Sequence, residues 1–533
     1  MCLHLAVQAG PPAALSAQAE LAVGKRLYEQ GLDAAGEPLA GVGAGGVRIT
    51  SGCADCHRRS GMGGAEGNRR VPPITAIDLF QAPADLDQPA PGDRASRGRA
   101  SRHAIAPSRR ESRAAYTDAS LARALRDGID ASGRPLHSLM PRYGQLDDAS
   151  MRALGAYLRT LYAEPAPGWR DGVLQIATIV TPDASAAERQ AVQGVLTAWA
   201  AQRRWIRLQV WTLTGDHSQW PAQLAEAYAR EPVFAVLSGA GGRHWQVVQD
   251  FCEARALPCV LPIVDAPAAA VAPRWSMYFS AGLDLEARAL AQVIQPSGAQ
   301  RVLQLVEPGR AEQAAQAFSA HVVASRSSDA AATSIQVDTR LWDPASPTLQ
   351  AELANLQRDT VVVAWLGPQA LDALWARWPE TKDGASATTG PDHLLLCATL
   401  SGFDTLPPLA WRARTRMMSS ELDPRALRGR TALGLLPWAR QAGVAIDDER
   451  LQAKAYAATG FFSDALARMA GRIDRAYLLE TLERGVDNRP YAGPFVALSL
   501  GPDQRVAGKS ADLLDLDGPQ RERWHPLPGR YTP

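Results

Sequence analysis

Lysine is nearly absent from this sequence: Lys25, Lys382, Lys454 and Lys509 are the only four among 56 basic residues, and the arginine bias reads as genome composition. Acidic residues number 55, so the net charge is +1, which excludes a chain-wide electrostatic partner such as nucleic acid or an anionic membrane. Long apolar runs are missing too. None approaches the roughly 20 residues that span a bilayer, so no membrane span is expected. Enzyme signatures are also lacking: there is no P-loop, no GxSxG, no HExxH and no second CxxCH, so no enzymatic constellation is expected and the catalytic residue set is empty.

What is present is enough chain for several cores. At 533 residues, with 46% apolar and 21% charged residues, the expectation is a multidomain globular protein of two to four domains. Residues 1–19 are alanine-rich and end Ala17-Gln18-Ala19, the small-x-small pattern of a signal-peptidase site, and read as a residual secretory leader. Residues 20 to 30 carry Leu21, Gly24 and Tyr28 on one side of an amphipathic helix. The stretch 82–115 is polar and repetitive, with seven arginines against Asp93 and Glu111 between Pro91 and Arg113, and reads as a solvated insertion. Order returns with a helix through Leu121, Ala124 and Leu125 that ends at Gly128. Another follows Asp147 as N-cap, with Met151, Leu154, Leu158 and Leu161 at helical spacing. The proline-rich joint AEPAPGW, ending at Trp169, marks the main boundary; the linker is taken as 165–172.

One motif carries specific chemistry. Cys53-Ala54-Asp55-Cys56-His57 is the CxxCH of covalent c-type haem attachment: two thiols form thioethers to the haem vinyl groups, and the adjoining histidine lies under the iron. His57 is therefore the proximal ligand, with Cys53 and Cys56 holding one haem c. For the distal ligand the reading favours Met140, in a loop between two predicted helices and fixed by Pro141. His137 is its rival, Met62 lies too near His57 to reach the opposite face, Met151 belongs to a helix stripe, and His103 sits in the arginine-rich stretch. Methionine opposite histidine closes the iron shell and favours electron transfer over substrate binding at iron.

These residues in this order resemble class I cytochrome c over roughly residues 20 to 162, and an all-α cytochrome c domain is expected over 20–164. The resemblance implies that Gly24 and Tyr28 cross a C-terminal helix at Ala156-Tyr157-Leu158. The stretch YTDASLARALRDGIDASGRPLHSLMPRY is similar to haem subunits that accept electrons from quinoprotein alcohol dehydrogenases. That likeness implies a redox partner protein, in a quinoprotein dehydrogenase or terminal oxidase chain, and a periplasmic location.

Beyond Trp169 the pattern becomes alternating strands and helices. Strands are expected at Val173 to Val180, Arg207 to Leu213, Val233 to Leu237, Cys259 to Val264, Val302 to Val306, Val361 to Leu366 and Leu394 to Ala398. Helices are expected at Ala186 to Arg203, Gln219 to Arg230 and Trp245 to Arg255. Strands separated by helices imply parallel sheets and an α/β fold. Trp199, Trp205, Trp245 and Trp365 fall in predicted elements and are assigned to the core. Cys252 and Cys259 are either a disulfide or two buried small side chains, and Cys397 has no evident partner.

The region 173–518 resembles a two-lobed periplasmic binding protein of type I, the fold of branched-chain amino acid binding proteins and ABC transporter substrate-binding proteins, leaving 519–533 as a tail. VFAVLSGAGGRHWQVVQDFCEARALPCVLP, AYAATGFFSDALARMAG and GPFVALSLGPDQRVAGKSADLLDL carry the likeness, the last as a closing hairpin turning at Gly501-Pro502-Asp503. The resemblance implies a small polar ligand held at strand ends by Thr181, Asp183, Ser238, Gly239, Ala240 and Ser280. The hydroxyl pair such proteins use for an amino acid carboxylate is not evident after Ser238, where Ala240 and glycines follow. Two functions are expected: an electron-transfer cytochrome whose second domain docks or senses, or a solute-binding protein whose occupancy is linked to haem redox state.

Overall fold

The computed structural model describes residues 16–66, 69–81, 114–265, 267, 273–294, 299–324, 335–357, 359–377, 393–486, 493–495, 497–517 and 521–533. Residues 1–15 of the expected leader, and 82–113 of the arginine-rich stretch with His103, lie outside the described residues. The chain divides into two compact units: unit 1 is residues 1–166 with 468–480, and unit 2 is residues 167–467 with 481–533.

In unit 1 the helix Ala17–Gln30 is capped by Ser16, whose hydroxyl accepts from Ala19 N, so residues 17–19 of the expected leader form a helical first turn. It ends at Gly31, which takes the left-handed conformation that glycine adopts without strain. Its partner is the helix Asp148–Leu158, with Asp147 as N-cap accepting from Ser150 N at 2.6 Å. The two cross at Gly24, where a Cβ would stand 2.0 Å from Ala153 O and 2.8 Å from Tyr157 Cβ. Only glycine allows that approach. Beside it the Tyr28 and Tyr157 rings lie 5.4 Å apart, and Tyr28 Oη donates to Arg58 O. The crossing thus uses Tyr157 of the expected Ala156-Tyr157-Leu158, together with Ala153 about one turn earlier. Further helices are Cys53–His57, Ala76–Phe80 and Asp118–Asp127, around a core of Leu27, Leu79, Leu121, Leu125, Leu154 and Leu158. The unit is not all-α: Gly41–Val42 pairs with Arg48–Ile49, and Gly64–Glu66 with Arg69–Val71, as short antiparallel ribbons.

Unit 2 holds two sheets. The first lobe orders Val506–Gly508, Ser276–Ser280, Cys259–Val260, Ala235–Ala240 and Val173–Val180 in parallel, with Ile206–Thr212 also parallel to Val173–Val180 and Trp169–Arg170 antiparallel to it. The second lobe orders Gln336–Leu341, Arg301–Val306, Thr360–Trp365, His393–Cys397 and Thr415–Ser419 in parallel, then Asp512–Asp517 and Arg523–Pro526 antiparallel. Helices between the strands bury their apolar faces on each sheet; Ala186–Ala201 begins with a capping box between Ser185 and Glu188 and buries Val192, Val195, Leu196 and Trp199. The chain changes lobe after Ser280, after Ser419 and after Gly508, so three crossings form a hinge.

Several sequence expectations change here. Of the expected tail 519–533, the described residues 521–533 are part of the fold, because Arg523–Pro526 completes the second sheet and Tyr531 bridges Ala511. A turn does form at Gly501 to Gln504, but the closing antiparallel hairpin is Asp512–Asp517 with Arg523–Pro526. Trp199, Trp245 and Trp365 are buried, whereas Trp205 precedes its strand and is 43% exposed. Cys252 and Cys259 are joined in a disulfide, and Cys397 is fully buried.

Candidate functional site

The CxxCH motif forms a single helical turn, which places Cys53 and Cys56 about one turn apart with His57 at its end. His57 is buried and its Nδ1 lies 3.0 Å from Pro72 O. With that nitrogen directed at a carbonyl acceptor it carries the proton, leaving the Nε2 lone pair for a metal. Cys53 and Cys56 are not joined in a disulfide. Burial pushes the Cys53 thiol up to about 12, the reverse of the lowered value of a redox-active CxxC pair. Met140 and Cys53 both pack against the core cluster of the unit. The Met140 loop is held by Val42 and Arg142, which exchange backbone hydrogen bonds at 2.9 Å, and by Tyr143 N donating to Leu125 O. His137 is exposed and turns inward on its own loop, its Nδ1 accepting from Leu139 N. Met62 Sδ is engaged by Arg472 Nη1 at 3.3 Å. Two thiols, a histidine with a fixed ring and an apolar surround suit a covalent haem.

The residues following His57 are held by an unexpected segment, 468–480. Ser60 N and Ser60 Oγ donate to the Glu480 carboxylate at 2.9 and 2.5 Å, and Met62 N donates to Ser60 Oγ. Arg472 makes a bidentate pair with Asp78 at 2.7 and 2.9 Å, while Thr75 Oγ1 donates to the same carboxylate. Sequence reasoning missed these groups because nothing local links position 60 to position 480.

In unit 2 the expected ligand residues sit at the strand ends of the first lobe. Thr181 N donates to Ala240 O, so the two loops meet. Between Ala177 and Ile179 the register with the neighbouring strand slips, so that Leu237 and Ser238 face Thr178 across a bulge. Ser238 takes a left-handed φ of 54° and Gly239 one of 130°. The hydroxyls of Thr178, Thr181 and Ser238 are all buried and lack a hydrogen-bond partner among the described residues. Such groups cost stability unless something else meets them. Asp183 takes a different part: its carboxylate accepts from His244 N and contacts His244 Nδ1 at 3.1 Å, and the His244 ring stacks on His217. Ser280 Oγ accepts from Gly282 N at the first crossing. Gly239 and Ala240 contribute backbone only, accepting from Ile263 N and Thr181 N.

Across the cleft Arg243 donates to Gly309 O, and Arg310 pairs with Asp265 at 3.3 Å. Burial pushes the Asp265 carboxyl up against the pull of Arg310. At the hinge, Glu286 is fully buried and accepts from Thr399 N, Thr399 Oγ1, Ser420 N and Ser420 Oγ. Burial pushes it up to about 7, opposed by those donors. Its neighbour Glu421 is also buried, but Lys454 at 2.6 Å and Arg450 at 3.0 Å outweigh burial and hold it below the usual range. Among the described residues no group of three or more His, Cys, Asp or Glu is arranged to hold a metal ion, and no helix is long and apolar enough to cross a membrane.

Unit 2 has the two-lobed α/β fold of type I periplasmic binding proteins. A branched chain amino acid ABC transporter from Thermus thermophilus with bound valine matches at TM-score 0.51 and 13% identity, over 68% of this chain and 97% of that one. A fatty acid ABC transporter substrate-binding protein from Thermomonospora curvata matches at TM-score 0.49 and 13% identity, over 69% of this chain and 95% of that one. A solute binding protein from R. palustris in complex with 4-hydroxybenzoate matches at TM-score 0.47 and 14% identity, over 68% of this chain and 98% of that one. No protein-family model matches the chain, and no curated protein matches it in sequence.

Proposed function

We propose that the chain is a solute-binding protein of an extracytoplasmic compartment, for a small polar metabolite, with one covalently bound haem c in unit 1. The observation that carries the binding reading is the trio of buried, unpartnered hydroxyls at Thr178, Thr181 and Ser238, at the strand ends where two-lobed α/β folds take their ligands. Arginines and carboxylates from both lobes, Arg243, Arg310, Asp183 and Asp265, suit a ligand with both donor and acceptor groups. The Cys252–Cys259 disulfide supports an oxidising compartment such as the periplasm. An ABC transporter permease is the partner this fold suggests, and no enzymatic activity is proposed.

A second reading, electron transfer with unit 2 serving to dock or sense, draws on the haem motif. Cys53 and Cys56 would hold the haem covalently, and His57 and Met140 would supply the ligands to its iron. Bound there, the haem supplies a one-electron couple. The chain's own contribution is to orient the His57 ring through Pro72 O and to hold the Met140 loop through Val42 and Arg142. The partner to test is a quinoprotein dehydrogenase or a terminal oxidase chain.

One set of measurements on the full chain tests both readings. A ligand at a hundred times its dissociation constant adds about 2.7 kcal/mol to the stability of the unit that binds it. A panel of small polar metabolites should raise the unfolding temperature of unit 2 for at least one member, and a flat panel would overturn the binding reading. A haem spectrum that survives acidified acetone extraction is expected. Its absence would overturn the haem assignment, and a haem left oxidised on stopped-flow mixing with a reduced quinoprotein dehydrogenase would exclude that donor.

A further inference from the structure

We propose a further binding site within the second lobe of unit 2, for a small monocarboxylate with an apolar tail. It lies at the end of the sheet away from the lobe crossings, and it depends on neither the solute-binding nor the haem reading.

A cavity of about 230 Å³ opens on one face of the second sheet. Among the described residues its apolar walls are Val293 and Ile294 at the end of the helix Leu283–Ile294, Val361 and Leu395 from two parallel strands, and Leu513 from an antiparallel one. Three polar side chains share it: His393, Arg416 and Tyr531. Register explains the grouping. Val361 pairs with His393, and Leu395 with Arg416, so neighbouring strands present these side chains to one face. Val361, His393 and Arg416 stand at or next to the start of their strands. Ser419, at the lobe crossing, is ~10 Å further along the sheet than Arg416.

Arg416 breaks the pattern of its strand. It shares a face with Met418, which is fully buried in the core, so alternation asks for an apolar side chain there. The guanidinium is half-buried and makes no hydrogen bond or ion pair among the described residues. The carboxylate nearest by register is Asp515, one step beyond the pair Met417–Leu514, and it accepts from Leu516 N instead. A half-buried cation without a counter-charge costs stability, and an apolar residue of the same volume would avoid that cost.

The cavity beside Arg416 has room for the missing anion. An engineered cavity of about 150 Å³ holds a benzene ring, so this larger one takes a chain or ring of about six carbons with a carboxylate. The carboxylate would meet the planar fork of Arg416 and accept from the Tyr531 hydroxyl. Tyr531 is fixed through its backbone, which exchanges two hydrogen bonds at 2.9 Å with Ala511, while Arg530 pairs with Asp512. The tail would rest on Val361, Leu395 and Leu513. A mostly apolar lining with a few polar groups to orient the guest is what a small-molecule site requires.

Hexanoate is the probe, titrated calorimetrically into the full chain. It should bind saturably, and hexanamide, equally long but uncharged, at least tenfold more weakly. Arg416→Met keeps the volume and removes the charge. Affinity for hexanoate should fall at least tenfold while the unfolding midpoint holds or rises, so lost binding is not lost folding. Tyr531→Phe should weaken binding about three- to tenfold. Thr181→Val, at the strand ends of the first lobe, should leave hexanoate affinity where it was. Affinity lost in Thr181→Val and kept in Arg416→Met would move the anion to the cleft and overturn the inference with the solute-binding reading standing. Equal affinity for hexanamide would overturn the pairing with Arg416, and a chain that hexanoate does not saturate would overturn the site.

Discussion

The strand ends of the first lobe and the hinge both bury polar side chains, but they satisfy them differently. At the hinge Glu286 receives four donors from Thr399 and Ser420, and Glu421 forms ion pairs with Arg450 and Lys454, although its Oε2 faces Arg450 Nε without hydrogen-bond geometry. At the strand ends Thr178, Thr181 and Ser238 are buried with no hydrogen-bond partner for their hydroxyls among the described residues, beside a bulge where Ser238 takes a positive φ. Paired buried groups hold a structure together, and unpaired ones cost it stability. On the proposed solute-binding reading, a guest at the strand ends would supply the missing bonds.

The largest effect should come from breaking the hinge. Glu421→Ala leaves Arg450 and Lys454 buried without their carboxylate and should cost unit 2 about 3–5 kcal/mol, read as a lower denaturant midpoint. A loss below about 1 kcal/mol would show that these charges reach solvent.

Next is a pH effect from Glu286, whose folded-state value is raised from 4.5 to about 7. The native state holds this proton more tightly than the unfolded chain does. The group's contribution is therefore complete below the unfolded value and is lost as pH rises through 4.5 to 7, by roughly 3 kcal/mol at 1.36 kcal/mol per unit. Glu286→Gln should flatten that part of the stability profile, and a variant with the parent's slope would assign the slope elsewhere. Glu421, held low, acts in the other direction and loses its contribution as pH falls.

The smallest effect tests the strand ends. Ser238→Ala or Thr181→Val removes an unpartnered hydroxyl and should leave stability unchanged or raise it by about 1 kcal/mol. The same change should abolish any ligand-induced thermal shift. Loss of stability without loss of binding would move both residues from the working surface to the framework.

Parts of this arrangement were legible in the sequence and parts were not, for physical reasons. The Cys53–His57 turn is visible in the sequence because its residues are contiguous, and Gly24 because a close helix crossing needs a missing Cβ. Core strands such as Val173–Val180 and Thr360–Trp365 are apolar runs with helices between them. The strand Gln336–Leu341 escaped notice because it lies at a sheet edge and is largely exposed, so it carries no apolar run. Thr415–Ser419 is short, with Thr415 and Arg416 at its start. Ser238 and Thr181 were placed at strand ends by pattern, but the lack of partners around them is a three-dimensional property. Glu286 lies inside a predicted α/β stretch with nothing to distinguish it from a solvated glutamate; its partners Thr399 and Ser420, just past two strands of the second lobe, are far away in sequence.

The bond between Ser60 and Glu480 spans 420 residues of sequence, and this sets a timetable for the nascent protein. A chain made at roughly 5–20 residues per second exposes the cysteine pair some 20–80 seconds before Glu480 has been synthesised. Through that interval the loop after His57 lacks the carboxylate that holds Ser60 N and Ser60 Oγ in the finished fold.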